Sequence, residues 1–172
     1  MPEDLHAHVR DWLTAMGCAP VERPDPTTRW HMSFEYPLGT GNHMLVVEPN
    51  GPAPAVIVAS VVRLTEKHLR AFAELSEGAQ RVFLIGLRRA LNGMDADFRL
   101  GDMDGPHACP RSFQVSMRRF PDGLGLDAFS GAVGAVFKAQ LEGIWYIQEH
   151  LEDRPEDVTV FFDLGGAEIP EA

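Results

Sequence analysis

The segment from Gly101 to Arg111 contains the side chains of this sequence that are best suited to chemistry. They are Asp102, Asp104, His107, Cys109 and Arg111. Carboxylates and imidazoles serve as general acids and bases, a thiolate as a nucleophile, and a guanidinium as an anion ligand. The segment is irregular, and it lies between two predicted strands, Phe98–Leu100 and Ser112–Phe120. Because loops on a rigid scaffold often carry binding sites, a pocket beside this loop is one hypothesis for function.

The known motifs that the sequence partly matches add no residue to this set of candidates. The spacing of His107 and Cys109 has no second ligand pair elsewhere, whereas a structural zinc site takes four ligands. The stretch Gly123–Ala128 fits G-x-G-x-x-A, but no βαβ unit surrounds it, and Asp127 would place negative charge where a phosphate binds. A helix-entry turn with Asp127 as the N-cap explains the same residues. The sequence therefore predicts no catalytic residue, no cofactor and no metal ligand.

The composition excludes several classes of partner. The chain has 172 residues, a formal net charge of −10 and 45% hydrophobic residues. From Glu149 onward eight acidic residues stand against Arg154 alone. Such an excess repels phosphate backbones, so we expect no nucleic-acid partner. No stretch approaches the roughly 20 apolar residues of a membrane span, so we expect no membrane partner.

The N-terminus and the cysteines indicate where the protein resides. The first residues are acidic and lack the basic start of a secretory signal. The two cysteines, Cys18 and Cys109, lie far apart in the sequence and cannot form a disulfide framework. We therefore expect a cytoplasmic protein with reduced thiols.

Hydrophobic spacing predicts the elements that must position any site. Residues 4–16 have the apolar spacing of an amphipathic helix. Trp30–Tyr36 alternates between apolar and polar residues, and His43–Glu48 follows after a glycine-containing turn, which is typical of a β-hairpin. If the hairpin centres on Gly39, Met32 lies opposite Val46 on one face of the sheet.

The third predicted strand, Ala55–Val62, shows no alternation. A strand that is apolar on both sides is covered on both sides, or it keeps one face for a partner. We therefore select Val56 and Val58 of this strand as candidate partner-binding residues.

Two short helices and one long helix complete the pattern. Thr65 and Ser76 have the side chains and positions of N-caps for two helices, and a final helix reaches Leu151. Gly131 and Gly134 lie inside this last helix, where glycine costs about 1 kcal/mol relative to alanine. Their presence there predicts a close approach of the helix to the sheet.

The element order predicts an α+β fold. It reads α-β-β-β-α-β-β-α and corresponds to an antiparallel sheet with helices packed on one face. The length suits one domain, which we place at residues 1–154.

Residues 155–172 form an acidic C-terminal tail with a β-prone segment. The segment includes four candidate partner-binding residues: Val158, Val160, Phe161 and Phe162. One interpretation is that this segment docks on its own domain. The other is that it docks on a second copy of the chain by addition to a sheet edge.

Three stretches of the sequence resemble a known fold. They are the strand Trp30–Pro37, the apolar strand Val56–Val62 with Leu64–His68 after it, and Asp122–Leu124 before the last helix. Together they are similar to an uncharacterised prokaryotic family with the type III secretion chaperone-like fold, over about residues 3–151. The resemblance implies a homodimer with apolar grooves for an extended segment of a partner protein. It implies no catalytic residues.

Two functions follow from these observations. The first is a non-enzymatic protein-interaction module, chaperone-like in character. It is supported by the apolar strand surface and by the absence of a catalytic motif in the sequence. The alternative is a small-molecule-binding protein or an enzyme with a pocket near the Gly101–Arg111 loop.

Overall fold

The computed structural model confirms the α+β class. It describes residues 5–151, apart from 102, 104, 106 and 107. The elements in chain order are α1 (Leu5–Ala15), β1 (Val21–Glu22), β2 (Thr28–Glu35), β3 (His43–Pro49), β4 (Val56–Arg63), α2 (Glu66–Glu74), α3 (Glu77–Asn92), β5 (Asp97–Gly101), β6 (Ser112–Arg119) and α4 (Leu126–Leu151). The order agrees with the predicted elements apart from one added strand, β1. The two predicted helices with N-caps Thr65 and Ser76 lie between β4 and β5.

The strands form one antiparallel sheet in the order β1-β2-β3-β4-β6-β5. The predicted hairpin register is confirmed, since Met32 pairs with Val46 and Glu35 with His43. Strand β1 has only two residues, both exposed. It escapes prediction because two residues are too few to show alternation.

The helix starts follow the capping residues in two of three places. The side chain of Thr65 accepts a hydrogen bond from the backbone of His68, and that of Ser76 from Ala79. Asp127 is not the N-cap of α4, because this helix already begins at Leu126. In the first turn its carboxylate still interacts favourably with the helix dipole.

The helices cover one face of the sheet and form the inner core with it. All buried apolar residues of the described helices belong to this core, together with Met32 of β2, Val46 of β3 and Phe113 of β6. Helix α4 lies across β4 and β6. The expected arrangement, with helices packed on one face, is therefore present.

The close approach of α4 to the sheet occurs at a different glycine from those predicted. A Cβ added to Gly143 would lie 2.5 Å from the ring of Phe113, whereas Gly131 and Gly134 have open space around them. The sequence marks glycines within a helix but not which side of the helix meets the sheet, so the prediction for Gly131 and Gly134 was wrong.

A buried amide pair joins α4 to the β2–β3 hairpin. Gln140 donates a hydrogen bond through Nε2 to Oδ1 of Asn42 at 2.7 Å, and Asn42 donates through Nδ2 to the carbonyl of Tyr36 at 2.7 Å. Both side chains are almost fully buried. Because an unpaired buried amide is costly, this pair fixes the position of α4 relative to the hairpin.

Replacing Gly143 with alanine is expected to destabilise the protein by about 1–3 kcal/mol, because the added methyl group overlaps the buried ring of Phe113. Urea unfolding followed by circular dichroism measures the change. Gly131→Ala is the matched control and should stabilise the protein by about 0.5–1 kcal/mol, since the site is open and alanine favours helix. Equal effects of the two substitutions would contradict the placement of α4.

Candidate functional site

The sheet face that points away from the helices has an apolar centre. It consists of Leu45, Val47, Ile57 and Ala59, which form a second buried cluster separate from the inner core. We call these four residues the outer cluster. The register pairs Leu45 with Ala59 and Val47 with Ile57 across β3 and β4, and such directly opposed side chains contact one another.

The outer cluster is buried although no helix residue belongs to it. Its four side chains are 0–4% exposed, and all four lie on strands. The outer face of a one-sided antiparallel sheet is ordinarily polar and solvated. The outer cluster is therefore an unusual apolar centre for this face of the sheet, and we take it as the candidate binding site.

The structure places the predicted partner-binding residues Val56 and Val58 on the opposite face. Both are 0% exposed and belong to the inner core beneath the helices, so their side chains face the helices, and their partner-binding role stays a prediction. Ile57 and Ala59 are the residues of this strand that face outward. The lack of alternation along β4 signals an apolar outer face, but only the packing of α4 decides which residues occupy it.

A row of side chains crosses the outer face at right angles to the strands. His31 pairs with Val47, Val47 with Ile57, and Ile57 with Arg118. The backbone of Arg23 bonds to that of His31 at 2.8 Å, so Arg23 extends the row past β1. We call these five residues the outer row. It has an apolar centre between basic ends, and four strand spacings of about 4.8 Å separate Arg23 from Arg118 by roughly 19 Å.

The outer face is basic in a protein that is acidic overall. By register its charged positions on the strands and beside β1 are Arg23, Glu35, Arg63, Asp97, Arg99 and Arg118. Four of these are arginines and two are carboxylates, whereas the whole chain has a net charge of −10. An extended surface with this local excess of positive charge attracts acidic ligands.

His31 is held mainly as the neutral imidazole. Burial lowers its pKa below the ordinary value of 6.5, and the nearby Arg23 lowers it further, while Asp25 and Glu22 act in the opposite direction. The closest carboxylate oxygen, Oδ2 of Asp25, is 3.9 Å from Nδ1. On the same face, Nε of Arg23 donates a hydrogen bond to the hydroxyl of Ser33 at 3.2 Å.

The Gly101–Arg111 loop is only partly described. Asp102, Asp104 and His107 lie outside the described residues, so their predicted convergence stays a prediction. Burial raises the pKa of the Cys109 thiol to about 11. The backbone of Arg111 accepts a hydrogen bond from Leu64 and donates one to Gly101, which ties this end of the loop to the sheet.

Two cavities lie near the other end of β5, away from that loop. The larger has a volume of about 480 Å³ and the smaller about 280 Å³. They share four lining residues: Asp97, Phe98, Ser116 and Arg118. The larger also contacts Asp95 and Arg119, so its walls are mostly polar.

The remaining predictions concern the C-terminal segment, metal ligands and membrane spans. Val158, Val160, Phe161 and Phe162 lie outside the residues that the structure describes, so their role stays a prediction. Among residues 5–151, with the four gaps given above, no group of three or more His, Cys, Asp or Glu side chains is arranged to hold a metal ion. In the same part of the chain, none of the helices has the length and apolar character to span a membrane.

The fold and the outer face define a class of protein: an α+β domain with helices on one face of an antiparallel sheet and a shielded apolar cluster on the other. The chain belongs to the family of an uncharacterized conserved protein, DUF2299, whose model matches residues 5–147. It is similar to the crystal structure of an uncharacterized protein from Methanothermobacter thermautotrophicus, with a TM-score of 0.77 and 27% identity over 85% of this chain and 98% of that one. No curated protein matches the chain significantly.

Acidification is expected to destabilise the protein partly through His31. Since its pKa is lowered in the folded state, the unfolded chain binds more protons as the pH falls through 6.5, and stability decreases there. The urea midpoint should therefore be lower at pH 5.5 than at pH 7.5, with a smaller difference in His31→Gln. His8→Gln, at an exposed position of α1, is the control. An unchanged pH dependence in His31→Gln would contradict the proposed burial of this imidazole.

Proposed function

We propose that the protein is a non-enzymatic, cytoplasmic protein-binding module, chaperone-like in character, whose outer row binds an extended segment of a partner protein. The observation that carries this proposal is the outer cluster, an apolar centre on the sheet face that the helices leave uncovered. Apolar centres within polar rims are typical of protein interfaces.

The chemistry of the outer row defines the partner segment. Val47 and Ile57 would contact apolar side chains, and Arg23 and Arg118 at the two ends would pair with carboxylates. An extended chain rises about 3.3 Å per residue, so two acidic residues about six positions apart match the roughly 19 Å between these arginines. The proposed ligand is therefore a short apolar stretch with an acidic residue at each end.

The state of Cys109 supports a non-catalytic role. A thiol with a pKa of about 11 is almost entirely protonated at neutral pH, whereas nucleophilic cysteines react as thiolates. Cys18 is buried and its pKa is also raised, because burial disfavours the charged form. Both thiols therefore fit structural positions.

Exposed apolar residues on the helical side support a homodimer. Val82 and Ile85 on α3 are 70% and 42% exposed, and Trp145 on α4 is 58% exposed. Because α3 and α4 pack against each other, these three residues lie on one helical layer. We propose that a second copy of the chain covers this layer, which leaves the outer face for the partner segment.

The second candidate function is binding of a small anion in the larger cavity beside β5. The observation that favours it is the presence of Arg118 and Arg119 in a cavity of about 480 Å³. Arg118 belongs to both candidate sites, whereas Ile57 lines only the smaller cavity and the outer row. If Arg119→Ala abolished binding of a small anion while no peptide bound the outer row, this second function would replace the first.

Peptides selected against the protein from a random phage-displayed library are expected to share an apolar stretch with acidic ends. Ile57→Lys should weaken the binding of a selected synthetic peptide by about tenfold or more, since it places a charge in the apolar centre. Titration calorimetry measures the affinity. Circular dichroism of the variant verifies that it is folded.

The matched control is Leu38→Lys, at an exposed apolar residue in the β2–β3 turn, which should leave the affinity unchanged. Arg118→Glu supplies a second variant that changes charge at the edge of the row. Peptides that bind wild type, Ile57→Lys and Arg118→Glu equally would overturn the assignment of the outer row as the binding site.

Light scattering of the purified protein is expected to give twice the 19.0 kDa mass of one chain. The double variant Val82→Lys with Trp145→Ser should give the mass of a single chain, because it places polar groups on the exposed helical layer. Leu38→Lys should remain a dimer. A wild-type protein that is monomeric at all concentrations would refute the homodimer.

A further inference from the structure

We infer that Arg23 and His31 form a carboxylate-binding subsite at one end of the outer row, and that His31 takes up a proton when a carboxylate binds there. The subsite would receive one acidic end of the partner segment and would make partner binding depend on pH. This role rests on the proposed function, whereas the subsite itself can be tested with a small carboxylate.

Arg23 and His31 lie side by side on the outer face. The backbone N–H of Arg23 donates a hydrogen bond to the carbonyl of His31 at 2.8 Å, which continues the antiparallel pairing of β1 with β2. Directly opposed residues of such a pair point to the same face, with their Cβ atoms about 5 Å apart. One bound carboxylate can therefore contact both side chains.

The guanidinium of Arg23 is oriented and still has donors for a ligand. Its Nε donates a hydrogen bond to the hydroxyl of Ser33 at 3.2 Å, and Ser33 is buried on the same face. This bond leaves the two terminal amino groups of the guanidinium, and such groups bind carboxylates in a bidentate manner. Because Arg23 is exposed, a ligand can reach it from solvent.

The imidazole of His31 is mostly buried and close to one carboxylate. Its side chain is 17% exposed, and Oδ2 of Asp25 is 3.9 Å from Nδ1. This distance exceeds that of a normal hydrogen bond, so Asp25 favours the protonated ring through space alone. A ligand carboxylate in contact with the ring would favour the protonated form more strongly.

The charges around His31 in the free protein favour the neutral ring. Burial is the largest effect and lowers its pKa; Arg23 lowers it further, while Asp25 and Glu22 raise it. On β3 the residue opposite His31 is Val47, which carries no charge. The positive charge of Arg23 is therefore the charge that a bound ligand would neutralise beside this ring.

A bound carboxylate would change this balance in favour of the protonated ring. It would neutralise Arg23 and add negative charge near the imidazole, and both effects favour the imidazolium. The ligand would also exclude water, which acts in the opposite direction. Since the ring is already mostly buried, little water remains to be removed, and net proton uptake is expected.

Partner binding should therefore strengthen as the pH falls. If the pKa of His31 is higher in the complex than in the free protein, the gain in affinity is fully present below the pKa of the free protein. The gain is lost as the pH rises above the pKa of the complex. The free pKa lies below 6.5, whereas carboxylates with ordinary pKa values of about 4 stay ionised at pH 5.5.

NMR titration of the His31 ring tests the subsite directly. The protein is titrated in sodium acetate and in sodium chloride at equal ionic strength, and the variant His31→Gln identifies the resonance. Acetate should move the midpoint of the His31 titration to higher pH than chloride does. The resonance of His8, at an exposed position of α1, is the control. Equal midpoints for His31 in the two salts would overturn the subsite.

A peptide selected from the library above tests proton uptake on partner binding. Calorimetry in two buffers of different ionisation enthalpy gives the number of protons taken up. Wild type should bind about threefold or more tightly at pH 5.5 than at pH 7.5, with net proton uptake, whereas His31→Gln should show neither effect. His8→Gln should behave like wild type, and circular dichroism verifies that each variant is folded at both pH values.

The subsite and the proposed function fail in different ways. If acetate shifts the His31 titration but no selected peptide binds, the subsite stands and the proposed function is refuted. If a peptide binds the outer row but its affinity is independent of pH or falls on acidification, the proposed function stands and the proton uptake by His31 is refuted.

Discussion

The pairing of β3 with β4 is the constraint on which the other features depend. These strands are apolar on both faces, so Val46 and Val58 enter the inner core while Val47 and Ile57 form the outer cluster. A one-residue slip would exchange the two sets, and apolarity alone would not oppose it. The flanking strands β2 and β6 do alternate, and their polar residues fix which face the helices cover.

The packing of α4 against the sheet then determines which face of the sheet the helices cover. Gly143 lets the helix lie directly on Phe113, and the Gln140–Asn42 hydrogen bond holds its middle against the hairpin. The described helices therefore occupy one face of the sheet, and the outer cluster lies on the other. The arginines on the outer face give it a local excess of positive charge, although the chain as a whole has a net negative charge. The net charge of the chain therefore does not describe the charge of this face.

Local patterns predicted much of the fold. The caps at Thr65 and Ser76 and the pairing of Met32 with Val46 were predictable because each depends on residues close in sequence. The predictions that were wrong concern distant contacts. Gly131 and Gly134 carry the same local signal as Gly143, and only the packed sheet distinguishes them. The pocket predicted beside the Gly101–Arg111 loop stays a prediction, because Asp102, Asp104 and His107 lie outside the described residues.

By itself the sequence determined the α+β class, the antiparallel hairpin, the starts of α2 and α3, and the apolar character of β4, because these follow from periodicity and short-range hydrogen bonds. Only the tertiary structure decided which side of β4 faces outward and that basic side chains from β1 and β6 fall in one row with Val47 and Ile57. The physical reason is that hydrogen bonds across the sheet bring strands that are distant in sequence into register. The residues of the outer row become neighbours only across the strands, so no pattern along the sequence reveals them.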